Sequence, residues 1–148
     1  MCGIFGALSS SGADLTEDVA ELAHYAEQRG SDSSGFMISN TIGYEVIKAD
    51  MPVTQLMSKV DLVGRSFISG HSRLATNGVS DNQPVYRKGL VTIHNGIICN
   101  AEMLWAAREE QRQLTVDTEI IPIIVAEEKA KGSSPEEIAT TLFDQCEG

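Results

Sequence analysis

Apolar runs and one helical repeat organise the first half of the chain. The run over residues 2–8 predicts a buried first strand. Apolar residues then recur at helical spacing from Thr16 until Gly30, which can end an amphipathic helix. Further patterns predict a strand pair over 36–38 and 44–48 with a turn near 40–41, a helix over 52–60, and a strand near 66–70.

The second half predicts a hairpin followed by helices. Strands over 90–94 and 97–99 flank Asn95-Gly96, a dipeptide that favours tight hairpin turns. Helices are predicted over 101–111, 118–131 and 135–145. The last one starts at Ser134-Pro135-Glu136-Glu137, which supplies an N-cap, a first-turn proline and a capping-box glutamate. Strands come first and helices later, which is typical of an α+β domain.

Composition and charge narrow the class of protein. The chain has 148 residues, 42% of them apolar, and shows no internal repeat or linker, so we expect one domain over 1–148. Its net charge of −10 argues against nucleic acid and against an anionic membrane surface as binding partners, because both would repel it. No apolar run approaches the roughly 18–20 residues of a membrane span, and no signal peptide is recognisable. We therefore expect no membrane partner and a cytoplasmic protein.

The cysteines and histidines do not form a metal-binding pattern. Three scattered cysteines with no CxxC pair predict neither a disulfide framework nor a zinc knuckle. Three histidines lack i,i+4 spacing and have no cysteine pair nearby. We expect no metal and no organic cofactor.

Cys2 is the first candidate for chemistry. The initiator methionine is usually removed before a small residue, and its removal would leave thiol and free amine on one residue. The pKa of an α-amino group is about 7.7–8.0, so its neutral form can accept the thiol proton near neutral pH. The alternative is an inert cysteine buried in the first strand.

Three other segments carry groups that could bind a substrate. Arg73, in a glycine-bounded loop over 70–78, offers two parallel N–H donors that match a carboxylate. Asn95-Gly96 can aim a side-chain amide and a backbone N–H in one direction, as in an oxyanion hole. Asp117, at a predicted helix start, can pair with an ammonium group. Three alternatives stay open: a solvated arginine, a turn without chemistry, and a helix cap.

Five segments in this order form a specific pattern: MCGIFG (1–6), RGSDSSG (29–35), GHSRLATNG (70–78), HNGIICN (94–100) and DTE (117–119). Together they resemble the class II glutamine amidotransferase domain, which belongs to the N-terminal-nucleophile hydrolases. The second and third segments are most similar to the glucosamine-6-phosphate synthase type. Leu74 and Asn77 stand where that type usually carries tryptophan and histidine.

The resemblance implies a role for each catalytic group. Cys2 would be the nucleophile and its own amino group the base, while the Asn95 side chain and the Gly96 N–H would form the oxyanion hole. Arg29 and Asp32 would organise the neighbouring loop rather than touch the substrate.

It also implies how the substrate is held. Arg73 would bind the α-carboxylate of glutamine and Asp117 its α-ammonium group, with Gly96 and Thr76 lining the pocket. A zwitterionic amino acid requires one cation and one anion at its far end, which agrees with the analysis of the residues themselves.

The fold implied is an αββα sandwich of two antiparallel sheets in which Cys2 begins a central strand. The sequence ends at Gly148, directly after a predicted helix, where family members continue into further strands, so we expect a domain short at its C-terminus. The reaction implied is hydrolysis of L-glutamine to glutamate and ammonia through a γ-glutamyl thioester on Cys2. Ammonia would pass to an acceptor domain or subunit outside this chain, with amino-sugar phosphate synthesis favoured.

Two alternatives remain on sequence grounds. One is a non-catalytic glutamine-binding regulatory subunit in which Cys2 is idle, and the other is a different N-terminal-cysteine amide hydrolase. The second would have no need for the paired charges of Arg73 and Asp117. The sequence leaves open whether the chain forms a homo-oligomer.

Overall fold

The computed structural model describes residues 2–74 and 82–148, and the chain divides into two compact units, Met1–Pro84 and Val85–Gly148. Each unit is described by itself. The expectation of one domain over 1–148 stays a prediction.

The first unit is a four-stranded antiparallel sheet with two helices. Its strands are β1 (Gly3–Leu8), β2 (Ser33–Asn40), β3 (Gly43–Ala49) and β4 (Phe67–Arg73), and its helices are α1 (Thr16–Glu27) and α2 (Val53–Met57). The strand order is β1-β4-β2-β3, so the first strand pairs with the last one rather than with its neighbour in sequence.

The core of the first unit lies between the sheet and α1. Phe5, Phe36 and Ile68 point from the sheet into a cluster that includes Val19 and Ala23 of α1. Alternation along the strands places Ile4 and Leu8 on the opposite face, where they are 50% and 73% exposed. One face of the sheet is therefore covered within this unit and the other is apolar and partly open.

The second unit is a short hairpin followed by helices. Its elements are β5 (Val85–Arg87), β6 (Leu90–Thr92), α3 (Ala101–Ala106), a 3₁₀ turn (Asp117–Glu119), α4 (Ile120–Lys131) and α5 (Pro135–Gln145). The core is formed by Trp105 of α3, by Ile98, and by Ile120, Ile123 and Ile124 of α4. Gly132 follows the last residue of α4, and its φ of 84° is the left-handed conformation that a glycine adopts at little cost.

The two antiparallel sheets and the helices confirm the predicted α+β class. The first strand, the helix from Thr16, the β2–β3 pair, the helix after Pro52 and the helix from Pro135 lie where the sequence predicts them. Within the described residues, no helix combines the length and apolar character needed to cross a bilayer.

The predicted hairpin around Asn95-Gly96 is wrong. Residues 93–100 form no strand, and β6 pairs instead with β5, Val85 facing Thr92. The hairpin turn is Lys88-Gly89, with φ of 52° and 74°, which matches the two positive φ values of a type I′ turn. The described glycines with positive φ are Gly12, Gly43, Gly64, Gly89 and Gly132, and Gly96 is not among them.

The helix predicted over 101–111 is too long by about one turn. α3 ends at Ala106, and the backbone N–H groups of Gln113 and Leu114 donate to the buried carboxylate of Glu119. Because a buried charge needs hydrogen-bond donors, this contact holds the chain in an irregular path against its local helix propensity.

Candidate active site

Strand register brings Cys2 and Arg73 to the same end of the first sheet. Gly3 faces Ser72 across β1 and β4, and Arg73 faces Ser33 across β4 and β2. Cys2 directly precedes Gly3, so extending the ladder by one residue places Cys2 opposite Arg73. Both residues are half-buried, so Cys2 is not the fully buried cysteine of the inert alternative.

The second of the five sequence motifs, RGSDSSG over residues 29–35, links these two residues. The Arg29 Nε donates a 2.9 Å hydrogen bond to the carbonyl of Cys2, and the Asp32 N–H donates at 2.9 Å to the carbonyl of Arg73. The Ser72 hydroxyl donates at 2.5 Å to the carbonyl of Gly30. A segment that looks like a small polar loop in the sequence therefore fastens the start of β1 to the end of β4.

Two glycines allow this close packing. A Cβ on Gly30 would overlap the backbone at Arg73 and Leu74, and a Cβ on Gly3 would overlap the backbone of Ala26 in α1. A side chain at Gly3 would push the first strand away from α1, and one at Gly30 would push the segment after α1 away from the end of β4. The glycines of the first two motifs thus set the position of Cys2 through packing.

In the second unit, Asn95 and Gly96 line a cavity of about 330 Å³. Its wall is formed by residues 94–98 and by Cys146, Glu147 and Gly148. The Cys99 N–H donates at 2.7 Å to the carbonyl of Glu147. The residues that follow α5 therefore hold the segment that carries the predicted oxyanion donors.

Asp117 lies against the same segment. Its Oδ2 accepts a 2.6 Å hydrogen bond from the Ile98 N–H, and its Oδ1 accepts one of 2.8 Å from the Thr118 N–H. The second unit therefore brings together Asn95, Gly96 and Asp117, while the first unit brings together Cys2 and Arg73. Thr76 lies outside the described residues, and the roles of all these residues stay predictions.

A buried ion pair that the sequence patterns do not predict lies next to Asp117. The Glu119 side chain is fully buried and accepts from the Arg87 guanidinium, which is 8% exposed and also contacts Glu110 at 2.8 Å. Lys88 pairs with Glu110 at 2.7 Å, and this hydrogen bond, opposed by partial burial, holds the pKa of Glu110 below its ordinary value. A glutamate two residues after Asp117 resembles an exposed first-turn acid, so no local signal reveals its burial.

The three cysteines form no disulfide with one another and lie in different surroundings. Cys99 is exposed, whereas Cys146 is half-buried beside the core of the second unit. Burial raises the pKa of the Cys146 thiol above its ordinary value, and the positive charge of Arg108 opposes this only in part. Within residues 2–74 and 82–148, no group of three or more His, Cys, Asp or Glu side chains is arranged to hold a metal ion.

Comparison with curated proteins gives relatives that match the whole chain. The glutamine–fructose-6-phosphate aminotransferase of Sulfurisphaera tokodaii is 29% identical over 162 aligned positions, which is 100% of this chain and 27% of the relative. The enzymes of the same name from Salmonella paratyphi A and Escherichia coli are 30% identical over 158 positions, 26% of their length. The chain belongs with the class II glutamine amidotransferases.

This membership confirms the resemblance of the five motifs and the expectation of an enzyme family. The chain spans about a quarter of the length of the curated relatives it matches. No family model matches the chain.

Proposed function

We propose that this class II glutamine amidotransferase chain hydrolyses L-glutamine and that its Cys2 is the nucleophile. The observation that carries the proposal is the full-length match to glutamine–fructose-6-phosphate aminotransferases together with a cysteine at the second position. The names of those relatives include glutamine as a substrate. The hydrogen bond from Arg29 to the Cys2 carbonyl supports it, because one contact orients a residue that carries both nucleophile and base.

The first chemical step forms a thioester. After removal of Met1, the neutral amine of Cys2 accepts the thiol proton, directly or through water, and the sulfur attacks the side-chain amide carbon. The Asn95 side chain and the Gly96 N–H stabilise the negative oxygen of the tetrahedral intermediate. The protonated amine then donates its proton to the departing nitrogen, and the carbon–nitrogen bond breaks to release ammonia.

The second step regenerates the enzyme. Water loses a proton to the Cys2 amine and attacks the thioester carbonyl, and the carbon–sulfur bond breaks to give glutamate and a thiolate. The protonated amine then returns its proton to the sulfur, which restores the free thiol and the neutral amine. Arg73 and Asp117 hold the two charges of the amino acid and so fix the amide over the sulfur. Cys2 and Arg73 lie in the first unit, and Asp117 lies in the second.

We further propose that ammonia passes to an acceptor domain or subunit that makes an amino-sugar phosphate. The names of the relatives, which combine glutamine with fructose 6-phosphate, support this assignment. The chain covers only about a quarter of those proteins, which leaves room in them for such an acceptor part.

The αββα sandwich is part of the same proposal. Ile4, Leu8 and Tyr44 lie on the face of the first sheet away from α1 and are 50%, 73% and 63% exposed. An apolar sheet face of this kind is typically covered by a second layer. A second sheet on this face would bury these side chains and complete the sandwich.

Labelling with an electrophilic glutamine analogue, a γ-diazoketone of the same length, tests the proposed function. Peptide mapping should find the adduct on Cys2, and intact mass should show a chain without Met1. Cys2→Ser should take up no label and release no ammonia from glutamine, while Cys99→Ser should behave as the wild type. Label on Cys99 or Cys146, or ammonia release by Cys2→Ser at the wild-type rate, would overturn the proposal.

A further inference from the structure

We propose that Asp117 is also a positioning residue for the oxyanion segment, in addition to pairing with the ammonium group of the substrate. The oxyanion segment is the stretch over residues 95–100, which carries the predicted donors Asn95 and Gly96. The inference rests on the proposed function and deepens it. Its basis is the 2.6 Å hydrogen bond from the Ile98 N–H to Asp117 Oδ2, which joins residues nineteen positions apart. Ile98 follows the predicted donor Gly96 by two residues, so this contact restrains the backbone close to that donor.

The turn that carries Asp117 is well packed. Thr118, Glu119 and Ile120, which follow it, are fully buried. Glu119 also receives hydrogen bonds from Arg87 and from the Gln113 and Leu114 N–H groups. The Asp117 carboxylate is therefore held on a well-packed turn, and it can impose its position on the segment that donates to it.

The other end of this segment has its own restraints. The Asn100 side chain donates to the Gln145 carbonyl at 2.7 Å and accepts from the Glu147 N–H at 3.1 Å. The Ile98 side chain is 6% exposed within the core of the second unit. Asp117 thus restrains the end of the segment nearer to Gly96. An oxyanion donor must lie within about 2.7–3.1 Å of the developing charge, and a misplacement of about 1 Å can cost 10²-fold in rate.

The Asp117 carboxylate has enough hydrogen-bond acceptor sites for both roles. A carboxylate offers about four acceptor sites, and the N–H groups of Ile98 and Thr118, together with the Thr118 hydroxyl at 3.5 Å, occupy three of them. Capacity remains for an ammonium group, which forms a charge-assisted bond. An asparagine has only one accepting oxygen, so Asp117→Asn would lose at least one of the two backbone contacts as well as the charge.

Substrates with and without the ammonium group separate the roles. The test measures kcat and KM for L-glutamine and for glutaramate, which is glutamine without its α-amino group. If Asp117 only binds the ammonium group, Asp117→Asn would raise the KM for glutamine and leave glutaramate unchanged. If it also positions the oxyanion segment, kcat should fall by about 10-fold or more for both substrates.

A second variant and a matched control complete the kinetic test. Asp117→Glu keeps the charge but moves the oxygens by one methylene, so kcat should fall for both substrates while the KM for glutamine changes less than in Asp117→Asn. Glu128→Gln is the control, because the Glu128 side chain accepts from Lys131 and Ser133 at the end of α4 that lies away from Asp117. It should leave the kinetics of both substrates unchanged.

Amide hydrogen exchange tests the contact without any reaction. In Asp117→Asn or Asp117→Glu, exchange at the Ile98 N–H should be about 10-fold faster or more, while the Leu104 N–H, which donates to the Asn100 carbonyl, should be unaffected. Unchanged exchange at Ile98, or unchanged glutaramate turnover in both variants, would overturn the inference. Failure of the wild type to release ammonia from glutamine would instead overturn the proposed function, and the exchange result would still decide the contact.

Discussion

Neutralising Glu119 tests the buried ion pair that supports the Asp117 turn. The Glu119 side chain is fully buried and is contacted by one guanidinium and two backbone N–H groups. Glu119→Gln keeps the shape and one accepting oxygen but removes the negative charge. Among the described residues, Arg87, itself 8% exposed, then keeps the partly exposed carboxylate of Glu110 as its ionic partner.

The expected loss of stability follows from these contacts. Breaking a buried ion pair by removing one partner costs about 3–5 kcal/mol, and a hydrogen bond to a charged group contributes about 1.5–3 kcal/mol. Because Glu110 still compensates Arg87, we expect Glu119→Gln to lower the free energy of unfolding by about 2–3 kcal/mol. Glu119→Leu should lose about 1–3 kcal/mol more, since the Gln113 and Leu114 N–H groups would be left without an acceptor.

Urea unfolding followed by circular dichroism measures both variants. With an m-value of about 1–3 kcal/mol per M, the midpoint for Glu119→Gln should fall by about 0.7–3 M. Glu102→Gln is the matched control, because Glu102 also pairs with an arginine, Arg112, but is 83% exposed. Its loss should stay below about 1 kcal/mol. Equal midpoints for Glu119→Gln and Glu102→Gln would refute the assignment of a stabilising buried pair.

Three further predictions concern the candidate site. Asn95→Ala should lower kcat by about 10²–10³-fold, or about 2.7–4 kcal/mol in the barrier, with little change in KM, and equal turnover in steady-state ammonia release would remove Asn95 from the oxyanion hole. Arg73→Ala should mainly raise the KM for glutamine, because its contact exists in both ground and transition states, and an unchanged KM would contradict that role. Iodoacetamide at neutral pH should alkylate exposed Cys99 faster than Cys146, whose pKa is raised by burial, and the rate at Cys146 should rise as the pH approaches that raised pKa. Faster alkylation of Cys146 than of Cys99, measured by peptide mass, would contradict the burial of that thiol.

Elements with local signals are predictable from the sequence. The start of α5 is an example: the Ser134 hydroxyl accepts from the Glu137 N–H, and the Glu137 carboxylate accepts from the Ser134 N–H. Both bonds form between residues three positions apart, so residue types alone indicate them. The β2–β3 pair is similarly local, since Asn40 faces Gly43 across a short turn.

The second unit shows where local signals mislead. Lys88-Gly89 and Asn95-Gly96 both end in glycine, and only the first forms the hairpin turn. Asn-Gly has the stronger turn preference, but the Ile98 and Cys99 N–H groups donate to Asp117 and to the Glu147 carbonyl instead of to a neighbouring strand. Long-range acceptors of this kind have no signature in a sequence window.

The candidate site is predictable as a set of residues but not as an arrangement. Motif order identifies Cys2 and Arg73, yet only the register of β1 and β4 explains why they lie together. The second motif is the clearest case, because Arg29 and Asp32 look like members of a solvated loop. Arg29 donates to the Cys2 carbonyl, and the Asp32 backbone donates to the Arg73 carbonyl.

The hydrogen bonds from Arg29 and Asp32 explain in physical terms what the second motif contributes. A nucleophile at the tip of a chain has no preceding strand to restrain it, and free chain ends tend to fray. In Cys2, amine and thiol share one Cα, so a hydrogen bond to the carbonyl of that residue restrains both groups together. Arg29 supplies this bond from beyond the end of α1, and Gly3 packs β1 directly against the same helix at Ala26. Cys2 is thereby tied to a packed helix, which is the restraint that the proposed N-terminal nucleophile needs.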